Sequence, residues 1–146
     1  LKAYSEKGLQ FFTNYNSHKG QDLLQNNKVS ILFFYEAMER QIRIEGTAAQ
    51  LSDAESDEYF YSRPIDSQYG AMASLQSSII NSKEELYTDL EKIKQEYNKP
   101  IRPKNWGGYN IIPHYFEFWQ GRPNRMHDRI SYKIDKNKWT KNILSP

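Results

Sequence analysis

Residues 118–129 carry the densest set of side chains in this sequence that could bind or polarise a ligand. The segment contains one indole, three guanidinium groups, one imidazole and one carboxylate. Trp119 offers a flat face for stacking, whereas Arg125 and Arg129 offer planar sets of N–H donors that match carboxylate or phosphate oxygens. A glycine and a proline between them indicate a turn. The segment predicts a site for a flat anionic ligand, with a solvated basic turn as the alternative interpretation.

Charge is distributed unevenly along the chain, although the net charge is only +2. Residues 36–98 hold 13 acidic and 6 basic side chains, whereas residues 99–146 hold 3 acidic and 10 basic ones. The basic residues of the C-terminal third are interleaved with apolar residues and do not form a uniform stripe. A small phosphorylated ligand is therefore favoured over a nucleic acid.

Length and composition indicate a single soluble domain. A chain of 146 residues is one domain by the usual size range and can form one hydrophobic core. No apolar run is long enough to span a membrane, no signal peptide opens the chain, and cysteine is absent, so a cytoplasmic location is expected. The three histidines are not at metal-ligand spacing, so no metal is expected.

The first half of the chain reads as strands with one short helix. Residues 1–5 and 9–15 flank a turn and predict a hairpin. Ser17 is a candidate N-cap for a helix that buries Leu23 and Leu24.

Two further strands are predicted in the first half of the chain. The first is a nearly continuous apolar run over residues 28–35. The second, over residues 40–51, alternates, with Ile42 and Ile44 on one face and polar residues such as Gln41 on the other.

Two helices begin with capping-box patterns in the second half of the chain. Residues 52–55 open a helix that leads to Tyr59 and Arg63, which are four apart and are therefore expected on one helix face. Residues 82–85 open a second helix, which ends before Pro100.

The remaining strands are predicted over residues 109–112, 115–119 and 129–134, followed by a hairpin turned by residues 135–137. Gly107 and Gly108 are expected to form a strand bend. The pattern as a whole predicts an antiparallel barrel with added helices.

Residues 117–129, which read E-F-W-Q-G-R-P-N-R-M-H-D-R, resemble the C-terminal motif of the pyridoxine/pyridoxamine 5′-phosphate oxidases. These are FMN enzymes that make pyridoxal 5′-phosphate. Other motifs of that family occur in the same order, namely Phe11-Phe12-Thr13-Asn14, Glu39-Arg40-Gln41, Tyr59-Phe60-Tyr61-Ser62-Arg63-Pro64, Asp66-Ser67-Gln68, Gln76-Ser77-Ser78 and Asn105-Trp106-Gly107-Gly108. The resemblance runs from Lys2 to Pro146.

The resemblance implies a fold that is mainly β with α, the FMN-binding split β-barrel, antiparallel and Greek-key-like with peripheral helices. Residues 1–146 would form one domain, in which residues 101–146 are the C-terminal dimerisation and active-site region. A homodimer with FMN at the subunit interface is implied. The family has an upstream segment that this chain is expected to lack, and its unpaired strand edges are then expected to depend on dimerisation.

The activity implied is oxidation of pyridoxamine 5′-phosphate and pyridoxine 5′-phosphate by O2 to pyridoxal 5′-phosphate. Hydrogen peroxide is the by-product, and the amine also releases ammonia. One alternative is a truncated, catalytically weak homologue that binds flavin or pyridoxal phosphate. Another is a split-barrel dimer with a purely structural role.

The resemblance assigns ten residues to FMN: Lys2, Phe12, Thr13, His18, Lys19, Gln41, Gln76, Ser77, Trp119 and Arg129. Gln76 and Ser77 are expected to come from the partner subunit. The phosphate is expected at the start of the first helix, where unpaired N–H groups favour an anion. His18 replaces the arginine usual in the family, so weaker or more pH-dependent flavin binding is the hypothesis. Phe12 replaces a tyrosine.

The resemblance assigns six residues to the substrate: Lys2, Tyr59, Arg63, Ser67, Arg125 and His127. The first four match a cradle for the substrate phosphate, in which two cations face a dianion. Arg125 and His127 match the pair that lies over the pyridine ring and are the candidate catalytic residues. Orientation, charge stabilisation and proton transfer are their candidate roles.

Overall fold

Seven antiparallel strands form one curled sheet, a half-barrel, and four helices lie around it. The computed structural model describes residues 1–146. The elements are β1 (Ala3–Ser5), β2 (Gly8–Asn14), α1 (His18–Gln25), β3 (Lys28–Tyr35), β4 (Arg40–Gln50), α2 (Asp53–Ser62), α3 (Ile65–Ala73), α4 (Lys83–Glu96), β5 (Trp106–Gln120), β6 (Asp128–Asp135) and β7 (Lys138–Ile143). The prediction of an antiparallel barrel with added helices is confirmed. None of the four helices is both long and apolar enough to cross a membrane.

The long strand β5 organises the sheet because three strands pair with it. One of its edges pairs with β4, while the other pairs first with β2 and then with β6. The sequence predicted two strands here, which is wrong, since β5 continues through Pro113 and His114. Glu45 pairs with Tyr115 and Gly46 with Pro113, so His114 is the extra residue of a bulge in β5, and β2 and β6 leave Pro113 and His114 unpaired on the other edge. The missing N–H of Pro113 therefore interrupts no regular ladder.

The core lies between the sheet and α1. Leu23, Ala48, Tyr109 and Ile111 form its centre. Ser17 is fully buried at the start of α1, where its hydroxyl accepts from the Gly20 N–H at 3.2 Å. Leu23 is buried as predicted, but Leu24 is 78% exposed. The prediction for Leu24 is wrong because a two-turn helix buries only one stripe against a sheet.

The ends of the helices confirm most of the capping predictions. Ser52 and Glu55 form a complete capping box at α2. At α4 only half of the box is present, since Ser82 accepts from the Glu85 N–H while the Glu85 carboxylate accepts from the Asn81 N–H instead. The predicted hairpin between β6 and β7 is confirmed.

The two glycines of β5 serve close packing rather than the predicted bend. Both lie inside the regular strand. A Cβ at Gly107 would overlap the Tyr15 hydroxyl, and one at Gly108 would lie 2.7 Å from the Phe12 ring. The side chains of Tyr15 and Phe12 therefore pack directly against the backbone of β5, and a side chain at either glycine would displace them.

Candidate functional site

Three of the predicted flavin contacts form a row across the sheet. Gln41 of β4 lies opposite Trp119 of β5, and Trp119 lies opposite Arg129 of β6. Directly paired residues point to the same face of a sheet, so an amide, an indole and a guanidinium stand side by side. All three side chains are half-buried. We refer to Gln41, Trp119 and Arg129 as the three-strand row.

A buried carboxylate lies next to the three-strand row. Glu117 is 6% exposed, and its Oε1 accepts from Arg129 Nε at 2.8 Å. Its Oε2 accepts from Arg43 Nη2 at 2.9 Å and from the Tyr115 hydroxyl at 3.1 Å. These hydrogen bonds, that of Arg129 first, lower the pKa of Glu117 to about 2. The motif containing Glu117 was recognised in the sequence, but no role was predicted for this residue.

The loop between β5 and β6 carries Arg125 and His127. The His127 ring centre lies 4.8 Å from that of Trp119, with the planes tilted by 44°. The backbone N–H of Arg122 donates to His127 Nδ1 at 3.1 Å, so a neutral His127 carries its proton on Nε2. Arg125 is exposed and has a left-handed backbone, with φ of 60°. His127 therefore lies beside the three-strand row, in contact with Trp119. The Arg125 side chain makes no hydrogen bond or ion pair within this chain.

A second group of predicted site residues surrounds Trp106, at the other end of β5. The Phe12 and Tyr59 rings stack with centres 3.8 Å apart, and the Trp106 ring is parallel to that of Tyr59. The Arg63 guanidinium lies over the Trp106 ring at 4.8 Å. Trp106 was missed as a site residue, although its motif was recognised.

We refer to Phe12, Tyr59, Arg63 and Trp106 as the Trp106 group. Within it, the Arg63 guanidinium is partly buried and lacks a full set of hydrogen-bond partners. Its Nη1 is buried and has no hydrogen-bond partner, and burial lowers the pKa of Arg63. It lines a cavity of about 380 Å³ together with Ser67, Gln76 and Trp106. The prediction that Arg63 lies on a helix face is wrong. It follows the last residue of α2 and has extended backbone, which the buried Gln68 holds by donating to the Arg63 carbonyl at 2.7 Å.

Gln76 connects the cavity to the start of α1. Its Oε1 accepts from the Asn14 N–H at 3.1 Å and from the Thr13 hydroxyl at 3.3 Å. The Thr13 and Ser17 hydroxyls are in turn 3.3 Å apart. Gln76 therefore contacts Thr13 of its own chain. In a site shared between two subunits, both residues would come from the same subunit.

The remaining predicted residues, Lys2, His18, Lys19 and Ser77, are exposed. Ser77 follows Gln76 and has φ of 70°. His18 and Lys19 are the first residues of α1, and the Lys19 ammonium lies 5.7 Å from the Phe11 ring centre. Lys2 precedes β1, where its N–H donates to the Gln10 carbonyl at 2.8 Å. The structure shows no side-chain hydrogen bond for any of these residues.

One chain does not bring the two groups of residues together. Thr13 lies opposite Gly107, whereas Trp119 is at the far end of the same strand. At roughly 3.3 Å per residue, the two positions are about 40 Å apart along β5. The predicted site residues therefore lie in two separate groups in each chain.

Comparisons with known proteins agree with this fold and with the recognised motifs. A solved structure of PhzG from Burkholderia lata 383, in complex with tetrahydrophenazine-1-carboxylic acid, matches with a TM-score of 0.90 and 29% identity, covering 99% of this chain and 72% of that one. An FMN-binding protein from Nostoc punctiforme related to pyridoxamine 5′-phosphate oxidase matches with a TM-score of 0.73 at 14% identity, covering 99% and 76%. The fold is therefore the split β-barrel, as predicted.

The sequence comparisons define the family. Residues 2–97 match the family model described as pyridoxamine 5′-phosphate oxidase, and residues 106–146 match the pyridoxine 5′-phosphate oxidase C-terminal dimerisation region. The pyridoxine/pyridoxamine 5′-phosphate oxidase of Bordetella avium is 50% identical over 148 residues, which cover 100% of this chain and 70% of that protein. The chain belongs to the pyridoxamine 5′-phosphate oxidase family.

Proposed function

We propose that this chain, as a homodimer with FMN, oxidises pyridoxamine 5′-phosphate and pyridoxine 5′-phosphate to pyridoxal 5′-phosphate. The observation that carries the proposal is the buried, unpaired Nη1 of Arg63 in the cavity that Ser67 also lines. A buried charged donor without a partner is costly, and a ligand anion would remove that cost. The substrates of the oxidase from Bordetella avium, by its name, carry such a phosphate.

Two chains are needed because each carries the site in two halves. The Trp106 group and the three-strand row are too far apart in one chain for a single flavin to contact both. In a symmetric dimer, the Trp106 group of one subunit can lie next to the three-strand row of its partner. The two-fold symmetry then produces two equivalent sites. The match of residues 106–146 to a dimerisation region supports this arrangement.

The residues of both halves are chemically suited to FMN. In one half, the start of α1 with Lys19 suits the FMN phosphate, because unpaired N–H groups and a full positive charge favour an anion. In the other half, the Trp119 indole suits a flat ring, and the Gln41 amide and Arg129 guanidinium suit its polar edge. Phe12, Thr13, His18, Gln76, Ser77 and Lys2 complete the proposed cofactor contacts.

FMN bound by these residues would supply the hydride acceptor, and its reoxidation by O2 would account for the hydrogen peroxide. The chain's own residues bind and orient the substrate. Arg63 and Lys2 neutralise the phosphate dianion, while the Tyr59 and Ser67 hydroxyls add directional donors.

His127 and Arg125 orient the ring of the substrate in this proposal. Because Arg122 holds Nδ1 of His127, its Nε2–H is available to donate to an electron-rich atom of the substrate. Arg125, exposed on the same loop, adds positive charge beside the substrate. Trp119, next to His127, limits the access of water to that side.

The test begins with FMN binding and then uses one half-reaction. The chain is loaded with FMN, pyridoxine 5′-phosphate is added without oxygen, and the visible flavin absorbance is followed. We expect bleaching that recovers in air. Arg63→Gln should still bind FMN but bleach about tenfold to a hundredfold more slowly at low substrate, because one charge-assisted contact is lost. Lys92→Gln, on the exposed face of α4, is the matched control and should behave as the unaltered chain.

Other outcomes distinguish the alternatives. Flavin that binds but never bleaches favours a binding module over an oxidase. The resemblance to PhzG makes a reduced phenazine carboxylic acid the control substrate. Bleaching with that compound and not with pyridoxine 5′-phosphate would overturn the proposed substrate class while leaving the oxidase chemistry.

A further inference from the structure

We propose that Glu117 is a positioning residue, whose buried carboxylate holds the Arg129 guanidinium in place for the flavin. The inference rests on the proposed function, since it assumes that Arg129 contacts FMN. The inference goes beyond the proposed function because it gives a role to Glu117, which lies beside the three-strand row and is not among the proposed FMN contacts.

The hydrogen bonds of Arg129 support this role. A guanidinium has five N–H donors. Nε donates to Glu117 at 2.8 Å, and Nη1 donates to the Ser145 carbonyl at 2.9 Å. Both N–H groups of Nη2 are left for a ligand. Two fixed points on one planar group determine its orientation, so the free edge is presented in a defined direction.

The ion pairs show that Arg129 depends on Glu117 more than Arg43 does. Arg43 also pairs with Glu45 at 3.1 Å and lies over the Tyr115 ring. Arg129 pairs with no carboxylate other than Glu117. Removing the charge of Glu117 would leave Arg43 one carboxylate and Arg129 none.

The position of Glu117 on the strand explains why it can act through Arg129. Glu117 and Trp119 are two residues apart on β5 and point to the same face of the sheet. Arg129, opposite Trp119, is the diagonal neighbour of Glu117 across β6. A buried carboxylate at this point can reach the guanidinium without contacting a ligand that stacks on Trp119.

A double-mutant cycle tests the inference. FMN dissociation constants are measured by flavin fluorescence for Glu117→Gln, Arg129→Gln and the double variant, and thermal unfolding is recorded without FMN. Glu117→Gln should weaken FMN binding about tenfold to a hundredfold, the usual value of a charge-assisted contact. In the Arg129→Gln background the same change should have an effect of about twofold or less, because its target is already absent.

The control is Glu45→Gln, which also removes a carboxylate partner of Arg43 on the same face but makes no contact with Arg129. It should leave FMN affinity unchanged. If Glu117→Gln does not fold, Glu117→Asp replaces it in the cycle, since it keeps the charge near Arg43 and shortens the reach to Arg129.

Equal effects of the Glu117 substitution with and without Arg129 would overturn the positioning role while leaving the proposed function intact. An unaltered FMN affinity in a folded Glu117→Gln chain would do the same. If the unaltered chain binds no FMN, the proposed function fails, and the inference fails with it.

Discussion

The Arg63 guanidinium lies over the Trp106 indole, 4.8 Å from the ring centre, with its Nη1 buried and unpaired. The stacking holds the cation in place from one side, while the cavity beside it leaves room for an anion. This arrangement requires a chain turn between α2 and α3, because Arg63 would otherwise continue the helix. In the proposed function, Arg63 is therefore already positioned before the substrate binds.

Replacing Trp106 should weaken the anion site by way of Arg63. Trp106→Leu removes the stacking surface but keeps an apolar side chain, so we expect a higher KM for phosphorylated substrate, by roughly fivefold to tenfold, if the stacking contributes about 1 kcal/mol. Steady-state kinetics with pyridoxine 5′-phosphate provide the measurement. The flavin affinity should change less than KM, and an unchanged KM would contradict the role given to this stack.

Complementation between two impaired variants should restore activity if the site is shared between subunits. Arg63→Gln alters the Trp106 group, and Arg129→Gln alters the three-strand row. A mixed dimer contains one site with both changes and one with neither, so random mixing should recover about a quarter of the unaltered sites. Activity is measured after co-refolding equal amounts of the two chains. Recovery no greater than the sum of the separate variants would mean that both residues act in one subunit.

Acid should remove part of the stability that Glu117 provides. The pKa of Glu117 is about 2 in the folded chain, below its ordinary value of 4.5, so the ionised form favours folding above pH 4.5. That contribution, about 3 kcal/mol for the full shift, is lost as the pH falls from 4.5 towards 2. Denaturant unfolding should therefore show Glu117→Gln less stable than the unaltered chain at pH 7, with a difference that narrows below pH 4.5. Glu45→Gln serves as the comparison, and a pH-independent difference for Glu117→Gln would contradict this expectation.

Two glycine substitutions should have opposite effects on stability. Gly107→Ala places a methyl group against the Tyr15 hydroxyl and 2.9 Å from Ser56 Oγ, so overpacking should cost about 1–3 kcal/mol. Gly70→Ala, within α3, meets nothing within 4 Å and should stabilise the helix by about 0.5–1 kcal/mol. Urea unfolding of both variants measures the difference. A neutral Gly107→Ala would show that β5 can move away from Tyr15 at little cost.

Local patterns in the sequence predicted most of the elements of the fold. Alternation placed Ile44 in the core, and hydroxyl caps marked the starts of α1 and α2 at Ser17 and Ser52. These signals depend on neighbours within a few residues, so they can be read along the chain. The family motifs named Trp119 and Arg129 but did not indicate that they stand side by side.

The sequence by itself determined the family, the strand-rich fold and the set of residue types available for an anionic, planar ligand. The tertiary structure decided how those residues are grouped: Arg63 over Trp106, Gln76 against Thr13, and Glu117 between Arg43 and Arg129. It also kept β5 continuous through Pro113 and thereby separated the Trp106 group from the three-strand row. The physical reason is that register, bulges and buried ion pairs join residues far apart in the chain, and their energies depend on packing that no local pattern encodes.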